Sequence, residues 1–324
     1  TMPGVRCVQR AVPIRRVGLY IPGGKAPLFS TVLMLAVPAV IAGCSEIVLC
    51  TPAGSDGRIA PEIRYAATLC GVRRVFAIGG AQAVAAMAYG TESVPRVDKI
   101  FGPGNRYVTR AKQLVSVDGV AIDLPAGPSE VLVLADEGTS PEFAAADLLS
   151  QAEHGGDSQA LLVCRTTAFA RRVSDAVRRQ TAVSNRSEIL RESLAQSRIV
   201  VLDTTDEAVD FANAYAPEHL IVALRDPWPA ADRITTAGSV FIGDYSPESV
   251  GDYASGTNHT LPTGGWARAY SGVNIDSFLR KITYQELTRE GLESLAPTVV
   301  AMAEAEGLDA HAEAVRIRLK GGAQ

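Results

Sequence analysis

Along the chain, short apolar runs alternate with longer Ala-rich stretches. The runs "RVGLYIP", "EIVLCTP", "RRVFAIG", "KIFGPG" and "VAIDLP" are rich in Val, Ile and Leu, and each ends at Gly or Pro. Between them lie "STVLMLAVPAVIAG", "RIAPEIRYAATLCG", "AQAVAAMAYG" and "NRYVTRAKQLVS", which read as helices. This is the βαβ rhythm of a parallel sheet covered by helices on both faces. A second series starts at Glu130: "EVLVLAD", a helix over Phe143–His154, "QALLVCR", a helix from Thr166, "SRIVVLD", a helix from Thr205, "HLIVAL" and "AGSVFIGD". The stretches "GCSEIVLCTP" and "GPSEVLVLAD" are alike, which points to two duplicated units. Gly, Ser and Thr dominate from Gly251 to Asn274, as in an ordered functional loop, and the end from Tyr284 reads as a polar-faced helix.

One segment competes with this picture. Ala26 to Ser45 carries no charge and is long enough to span a bilayer. Pro38 and Gly43 interrupt it, "EIVLC" follows at once, and no aromatic belt or positive cluster flanks it. A buried helix feeding a parallel sheet is the preferred reading, with a membrane span as the alternative. The 324 residues suffice for two domains or one large α/β unit. A net charge of −4 without a basic run argues against a nucleic-acid surface. The five cysteines are odd in number, scattered and without a CxxC pair, as in a reduced, cytoplasmic protein. No signal peptide is read at the start. Any metal would therefore take His, carboxylate or amide ligands.

Such ligands gather in "LLSQAEHGGDSQ", where Gln151, Glu153, His154 and Asp157 crowd the end of an otherwise apolar helix. Gln151 and His154, three apart, share one helical face. Only four histidines occur. His219 follows Glu218 in "YAPEHL", Asp252 and His259 bracket "GDYASGTNH", and His311 stands at a helix start with Asp309 as its N-cap. A lone histidine is more often structural than functional, and the distance of His154 from the others is too long for a local motif. Zinc or manganese could nevertheless take Gln151, His154, a carboxylate and a further histidine. The glycines of "IPGGKAP" and "FGPGNRYV" stand at strand ends, where they could approach a phosphate or simply turn the chain; neither is GxGxxG.

With these segments in hand, the sequence resembles the histidinol dehydrogenases. "VGLYIPGG", "IGGAQAVAAMAYGT", "FGPGNRYVTRAKQ", "IDLPAGPSEVLVLAD", "DLLSQAEHGGDSQ", "YAPEHL", "GSVFIGDYSPESVGDYASGTNHTLPT" and "EGLDAHAEAVRIRL" occur in the family's order and cover nearly the whole chain. The resemblance implies zinc-dependent oxidation of L-histidinol to L-histidine by two NAD+ through histidinaldehyde, the last step of histidine biosynthesis. It implies an α/β fold of two Rossmann-like parallel-sheet domains, duplicated, plus a helical C-terminal tail. The expected divisions are 1–128 with the NAD-site residues, 129–276 with the zinc and catalytic residues, and 277–324 as a tail crossing to the partner of a cytoplasmic homodimer.

On the matching motifs, the resemblance makes Gln151, His154, Asp252 and His311 the ligands of one Zn2+ per site. Glu218 and His219 become the acid–base pair. Ser129, His259 and Glu306 join His219 and the four zinc ligands around the substrate, and Tyr20, Gln82 and Asn105 contact NAD+. A histidine with a pKa near neutrality suits removal of the alcohol proton, and Glu218 suits activation of the water that hydrates the aldehyde. Zinc would act mainly as a template for the substrate's nitrogens. Members of the family carry a long region before the segment matching "PGVRC"; it contributes helices to one large domain and to the dimer, so the domain built from Ser129 is expected to lack part of its structure. Two rival readings are a paralogous NAD-dependent dehydrogenase of another primary alcohol, such as a sulfonated propanediol, and an inactive truncated binding module. The presence of both His259 and Glu306 favours histidinol.

Overall fold

The structure, a computed structural model, describes residues 2–23, 27–125 and 127–321. Gly24, Lys25 and Ala26 of "IPGGKAP" fall outside the described residues. The chain divides into two compact units, 1–13 with 279–324, and 14–278.

β1 (Val5–Pro13) belongs to the smaller unit. The larger one begins with β2 (Arg16–Tyr20), α1 (Phe29–Ala42), β3 (Glu46–Thr51), α2 (Pro61–Leu69), β4 (Arg74–Ala77), α3 (Gly80–Tyr89), β5 (Lys99–Phe101), α4 (Arg106–Val117) and β6 (Ala121–Ile122). It continues through β7 (Glu130–Ala135), α5 (Pro141–Ala152), β8 (Gln159–Cys164), α6 (Thr167–Val183), α7 (Ser187–Gln196) and β9 (Arg198–Val201). It ends with α8 (Thr205–Tyr215), β10 (His219–Ala223), α9 (Trp228–Ala231), β11 (Ser239–Ile242) and α10 (Glu248–Tyr253). The smaller unit closes with β12 (Leu279–Leu287), α11 (Arg289–Ala305) and α12 (Asp309–Lys320).

Each series of the larger unit makes a five-stranded, wholly parallel sheet, ordered β4-β3-β2-β5-β6 and β9-β8-β7-β10-β11. Counted from β2 and from β7, both orders read 3-2-1-4-5, the Rossmann winding, so the likeness of the two sequence series extends to topology. β7 shows why its sequence is apolar throughout. Val131, Val133 and Ala135 pack towards Ala144 and Leu148 of α5 and Phe169 of α6, while Leu132 and Leu134 pack towards Ala208, Val209 and Ala212 of α8. Side chains alternate across a strand, and with helices on both faces every position is buried. In the first sheet, Leu19, Leu49 and Phe101 face α1 and α2, while Tyr20, Val48 and Ile100 face α3 and α4.

The uncharged stretch resolves as the preferred reading had it. α1 is a covering helix that buries Thr31, Val32, Leu35, Ala36 and Ala39. Among the described residues, no helix is long and apolar enough to cross a membrane. After α10 the chain returns to the first sheet: Asn258 Nδ2 donates to the Met34 carbonyl at 2.8 Å, Val273 joins the core under α1, and Phe278 stacks on Phe101 with ring centroids 4.0 Å apart.

The smaller unit corrects one expectation. The chain is strand, not helix, from Tyr284 to Leu287, and helix starts only at Arg289. β12 pairs antiparallel with β1, from Val5 opposite Leu287 to Pro13 opposite Leu279. That partner lies at the far end of the sequence, and both faces of the ribbon are largely exposed, so no apolar alternation marks it.

Candidate active site

α5 starts at Pro141, where Ser140 caps the helix by accepting from the Glu142 amide. Its far end brings Gln151 to full burial. The helix stops at Ala152, but the chain makes one more turn, with the His154 amide donating to the Gln151 carbonyl at 3.2 Å. The two expected ligands therefore lie on consecutive backbone of one helix tip. α10 supplies the rest. The expected loop does not yet begin at Gly251, because Gly251, Asp252 and Tyr253 are its last residues. Glu248 and Asp252, four apart, share its inner face. The donor atoms of His154, Glu248 and Asp252 all lie within 4.8 Å of one another.

The Glu218–His219 pair enters this cluster from the second sheet. α8 ends on Ala216 at φ +56°, and β10 starts at His219 between β7 and β11. Parallel pairing places the pair beside the first residue of β7. The Glu130 amide donates to Glu218 Oε2 at 2.9 Å, and the Glu130 carbonyl lies 3.4 Å from His219 Nδ1. The backbone of one residue, Glu130, thus meets both side chains. His219 Nδ1 is 3.6 Å from Glu218 Oε2 and 3.8 Å from Glu248 Oε1, and its Nε2 is 4.0 Å from Asp252 Oδ1. In the amide orientation that satisfies both partners, Gln151 Nε2 donates to Glu248 at 2.7 and 3.1 Å and lies 3.2 Å from His219 Nδ1.

Burial governs the protonation of these groups. Desolvation first, and then neighbouring carboxylates, hold Glu248 well above the usual carboxylate range; for Glu218 desolvation is likewise the largest cause. Desolvation raises Asp252 to about 6. The same cause lowers His219 to about 3, with the positive fields of His154 and His259 adding to it. This departs from the near-neutral histidine expected from the sequence: at pH 7 the ring is neutral, with a free lone pair. His154 keeps an accessible edge at the mouth of the cluster, yet surrounding protein lowers its pKa as well. His219 Nε2 is buried and has no hydrogen-bond partner, which is costly for a polar nitrogen. Three crowded carboxyls, an imidazole at their edge and a stranded ring nitrogen fit a bound cation and a polar substrate better than they fit a packed core.

His259 belongs to an ordered loop, as expected. Its Nε2 is 3.2 Å from Ser30 Oγ at the start of α1, and Asn258 ties the neighbouring backbone to that helix. The Glu130 carboxylate anchors the next turn, accepting from the Gly264 amide at 2.9 Å and the Tyr215 hydroxyl at 3.1 Å. Ser129 immediately precedes β7, its carbonyl accepting the Gln159 amide at 3.0 Å. Glu306 is the C-cap of α11 and His311 lies in the first turn of α12; both are exposed within the smaller unit. Asp309 is the first helical residue there rather than the N-cap, which is Leu308 without a side-chain cap bond.

Tyr20, Gln82 and Asn105 gather at the carboxyl end of the first sheet, where β2 and β5 are neighbours and the strand order reverses. Ligands of open α/β sheets bind in that crevice. The buried Tyr20 hydroxyl accepts the Gly80 amide at 3.1 Å, fixing the start of α3 that carries Gln82. Asn105 caps α4, its Oδ1 accepting from the Tyr107 and Val108 amides at 3.0 and 3.1 Å.

Three residues of the larger unit escaped the sequence reading. Glu248 had a visible signal, an acid four residues before Asp252. Glu130 stands at the head of an apolar strand run, where a charge is out of place. Ser30 carried no signal, since its partner is more than two hundred residues away.

Comparison with known proteins identifies the family. The family model described as histidinol dehydrogenase matches residues 1–319. A histidinol dehydrogenase from Bacteroides fragilis strain YCH46 is 60% identical over 320 residues, covering 99% of this chain and 75% of that protein. One from Aliivibrio fischeri is 59% identical over 326 residues, covering 100% of this chain and 73% of that protein. The crystal structure of histidinol dehydrogenase from Elizabethkingia anophelis superposes with a TM-score of 0.97 at 54% identity, over 99% of this chain and 74% of that one. An acetylating aldehyde dehydrogenase from Geobacillus thermoglucosidasius shares the fold alone, at a TM-score of 0.57 and 14% identity over 87% of this chain and 76% of that one. The chain belongs to the histidinol dehydrogenase family.

Proposed function

We propose that the protein oxidises L-histidinol to L-histidine with two NAD+, in the cytoplasm, with one zinc ion per site. The observation that carries this reading is the convergence of Gln151, His154, Glu248 and Asp252 on the Glu218–His219 pair. Gln151, His154 and Asp252 would hold the metal, joined by the His311 of a second subunit, and Glu248 lies against Gln151. Bound zinc supplies a template that fixes the substrate's imidazole and amino nitrogens. Tyr20, Gln82 and Asn105 would hold NAD+ in their crevice, where it would supply the hydride acceptor for each half-reaction.

The protein's own groups move the protons. The neutral His219 ring accepts the hydroxyl proton as hydride leaves the carbinol carbon, giving the aldehyde. Water adds to the aldehyde with Glu218 taking one of its protons, and a second hydride leaves the hydrate to give the carboxylate. The balance is RCH2OH + 2 NAD+ + H2O → RCOO− + 2 NADH + 3 H+. A cation and the substrate's ammonium favour ionised carboxyls, and ionised Glu218 and Glu248 beside His219 raise its proton affinity when a base is needed. Ser129 and His259 help hold the substrate. Glu306 and His311 would act in the partner's site of a homodimer.

The test is NADH formation from histidinol with NAD+, before and after chelation and with zinc restored. Two NADH per histidine are expected, with little free aldehyde and no turnover without metal. Full activity of a metal-free preparation, or faster turnover of a sulfonated propanediol than of histidinol, would overturn the reading.

A further inference from the structure

Lys112 and Asp123 form an ion pair buried to 3% and 1% side-chain exposure, outside the cluster described above. Such a pair is expensive to desolvate and is weak evidence of stability in itself. Its partners indicate what it does. Asp123 Oδ2 accepts the Gly102 amide at 2.7 Å, and Lys112 Nζ donates to the Gly102 carbonyl at 2.9 Å. The second carboxylate oxygen takes the Leu124 amide at 2.7 Å, and Lys112 Nζ donates to the carboxylate as well. Both peptide groups of a single residue are therefore held by one ion pair.

That residue is the hinge between β5 and the turn leading into α4. Gly102 has φ +121°, and a Cβ there would stand 2.0 Å from the Tyr20 carbonyl oxygen. Only glycine lets the turn press this closely against the end of β2. Lys112 sits seven residues after Asn105, so it ties α4 back to its own entry turn, while Asp123 ties that turn to the end of β6. Lys112 is fully engaged by the carboxylate and two carbonyls and so is not a free cation for a phosphate.

We infer that the Lys112–Asp123 pair is a positioning device for the nucleotide crevice: it fixes Gly102, and through it the placement of Asn105 beside Tyr20, before the dinucleotide arrives. This rests on assigning that crevice to NAD+. The test uses the zinc-loaded full chain. In Lys112→Met/Asp123→Leu the pair is replaced by apolar side chains of similar size, and in Lys112→Gln/Asp123→Asn neutral groups keep a donor to the Gly102 carbonyl and an acceptor for its amide. NADH affinity, read by fluorescence titration, should fall at least tenfold in the first variant and largely recover in the second. Zinc affinity, read by competition with a chromophoric chelator, should stay unchanged in both. Wild-type NADH affinity in a folded Met/Leu variant overturns the inference.

Asn105→Asp is the control for the crevice. If it weakens NADH and the Met/Leu variant does not, the positioning role alone falls; if it too binds normally, the crevice assignment falls and takes the inference with it. Hydrogen exchange on the wild type decides the matter even if the variants fail to fold. The segment from Phe101 to Val108 should be protected already without NADH, and protection appearing only on NADH binding overturns the inference.

Discussion

Under the proposed assignment of the nucleotide crevice, Asn105 does two jobs with its two ends, and substitution should separate them. Its Oδ1 caps α4 through the Tyr107 and Val108 amides, while the Nδ2 of this exposed residue has no partner among the described residues and is the donor the proposed NAD+ site would use. Asn105→Ala removes both functions. The lost cap costs about 1 kcal/mol, lowering Tm by on the order of 2 °C in a chain of this size. The lost donor costs about another 1 kcal/mol of binding, roughly a fivefold rise in KM for NAD+. Asn105→Asp keeps the acceptor, and its charge suits a helix N-terminus, so stability should match or slightly exceed wild type. Its second oxygen, however, replaces the donor and repels a diphosphate. With about 1 kcal/mol for each of those effects, KM for NAD+ should rise roughly 30-fold. The Asp variant is thus expected to be the more stable and the weaker binder. Thermal unfolding and NAD+ saturation curves read the two properties separately. An Asp variant that saturates like wild type, or an Ala variant that binds more weakly than Asp, would refute the division of labour.

His219→Asn should slow both half-reactions by on the order of 10²–10⁴-fold, whereas Glu218→Gln should chiefly slow oxidation of supplied histidinaldehyde; normal aldehyde oxidation by the Gln variant removes Glu218 from water activation. Glu248→Gln lets the Gln151 amide turn either way, so zinc affinity should drop roughly 10–100-fold in chelator competition, and an unchanged affinity contradicts the orienting contact. Burial, followed by the charge of Asp244, raises Asp147 to about 7, so stability from its neutral form is complete below the usual carboxylate pKa and is lost as pH climbs through about 7. Asp147→Asn should therefore raise Tm relative to wild type at about pH 8 and by little at about pH 4, and a gain independent of pH would exclude titration as its cause. Verified mixed dimers of His219→Asn and His311→Asn should return about a quarter of wild-type activity to the mixture if the tail serves the partner's site, and none if it serves its own subunit.

The two sheets were legible because burial on both faces leaves continuous apolar runs, and turn residues mark where each run stops. Val131 to Ala135 could hardly be read otherwise. The ribbon of β1 and β12 was not legible, because its pairing spans the whole sequence and its faces stay exposed, leaving no local pattern to detect. Within the candidate site, Gln151 and His154 stood out by their spacing at a helix end, whereas the roles of Glu218, His219 and Asp252 came through motif resemblance, since nothing in the sequence distances announces that they meet that helix. Glu248 was overlooked even though its spacing to Asp252 was readable. The protonation of His219 could not be read at all: its lowered pKa comes from burial that only the assembled β10, α5 and α10 create.

The ribbon also sets a timetable for the nascent chain. Val5 must wait for Leu287, and Pro13 for Leu279, before either end of the ladder can form. At about 5–20 residues per second, β1 emerges from the ribosome roughly 14–55 s ahead of its partner strand. Within that interval both parallel sheets can close, while β1 remains an unpaired strand open to foreign edges. Arg6 and Arg10 place positive charge along it, the type of residue that discourages such pairing. The smaller unit therefore depends on synthesis reaching β12, so a ribosome stalled after β11 has emerged but before residue 279 would hold a chain with its sheets formed and β1 still unpaired.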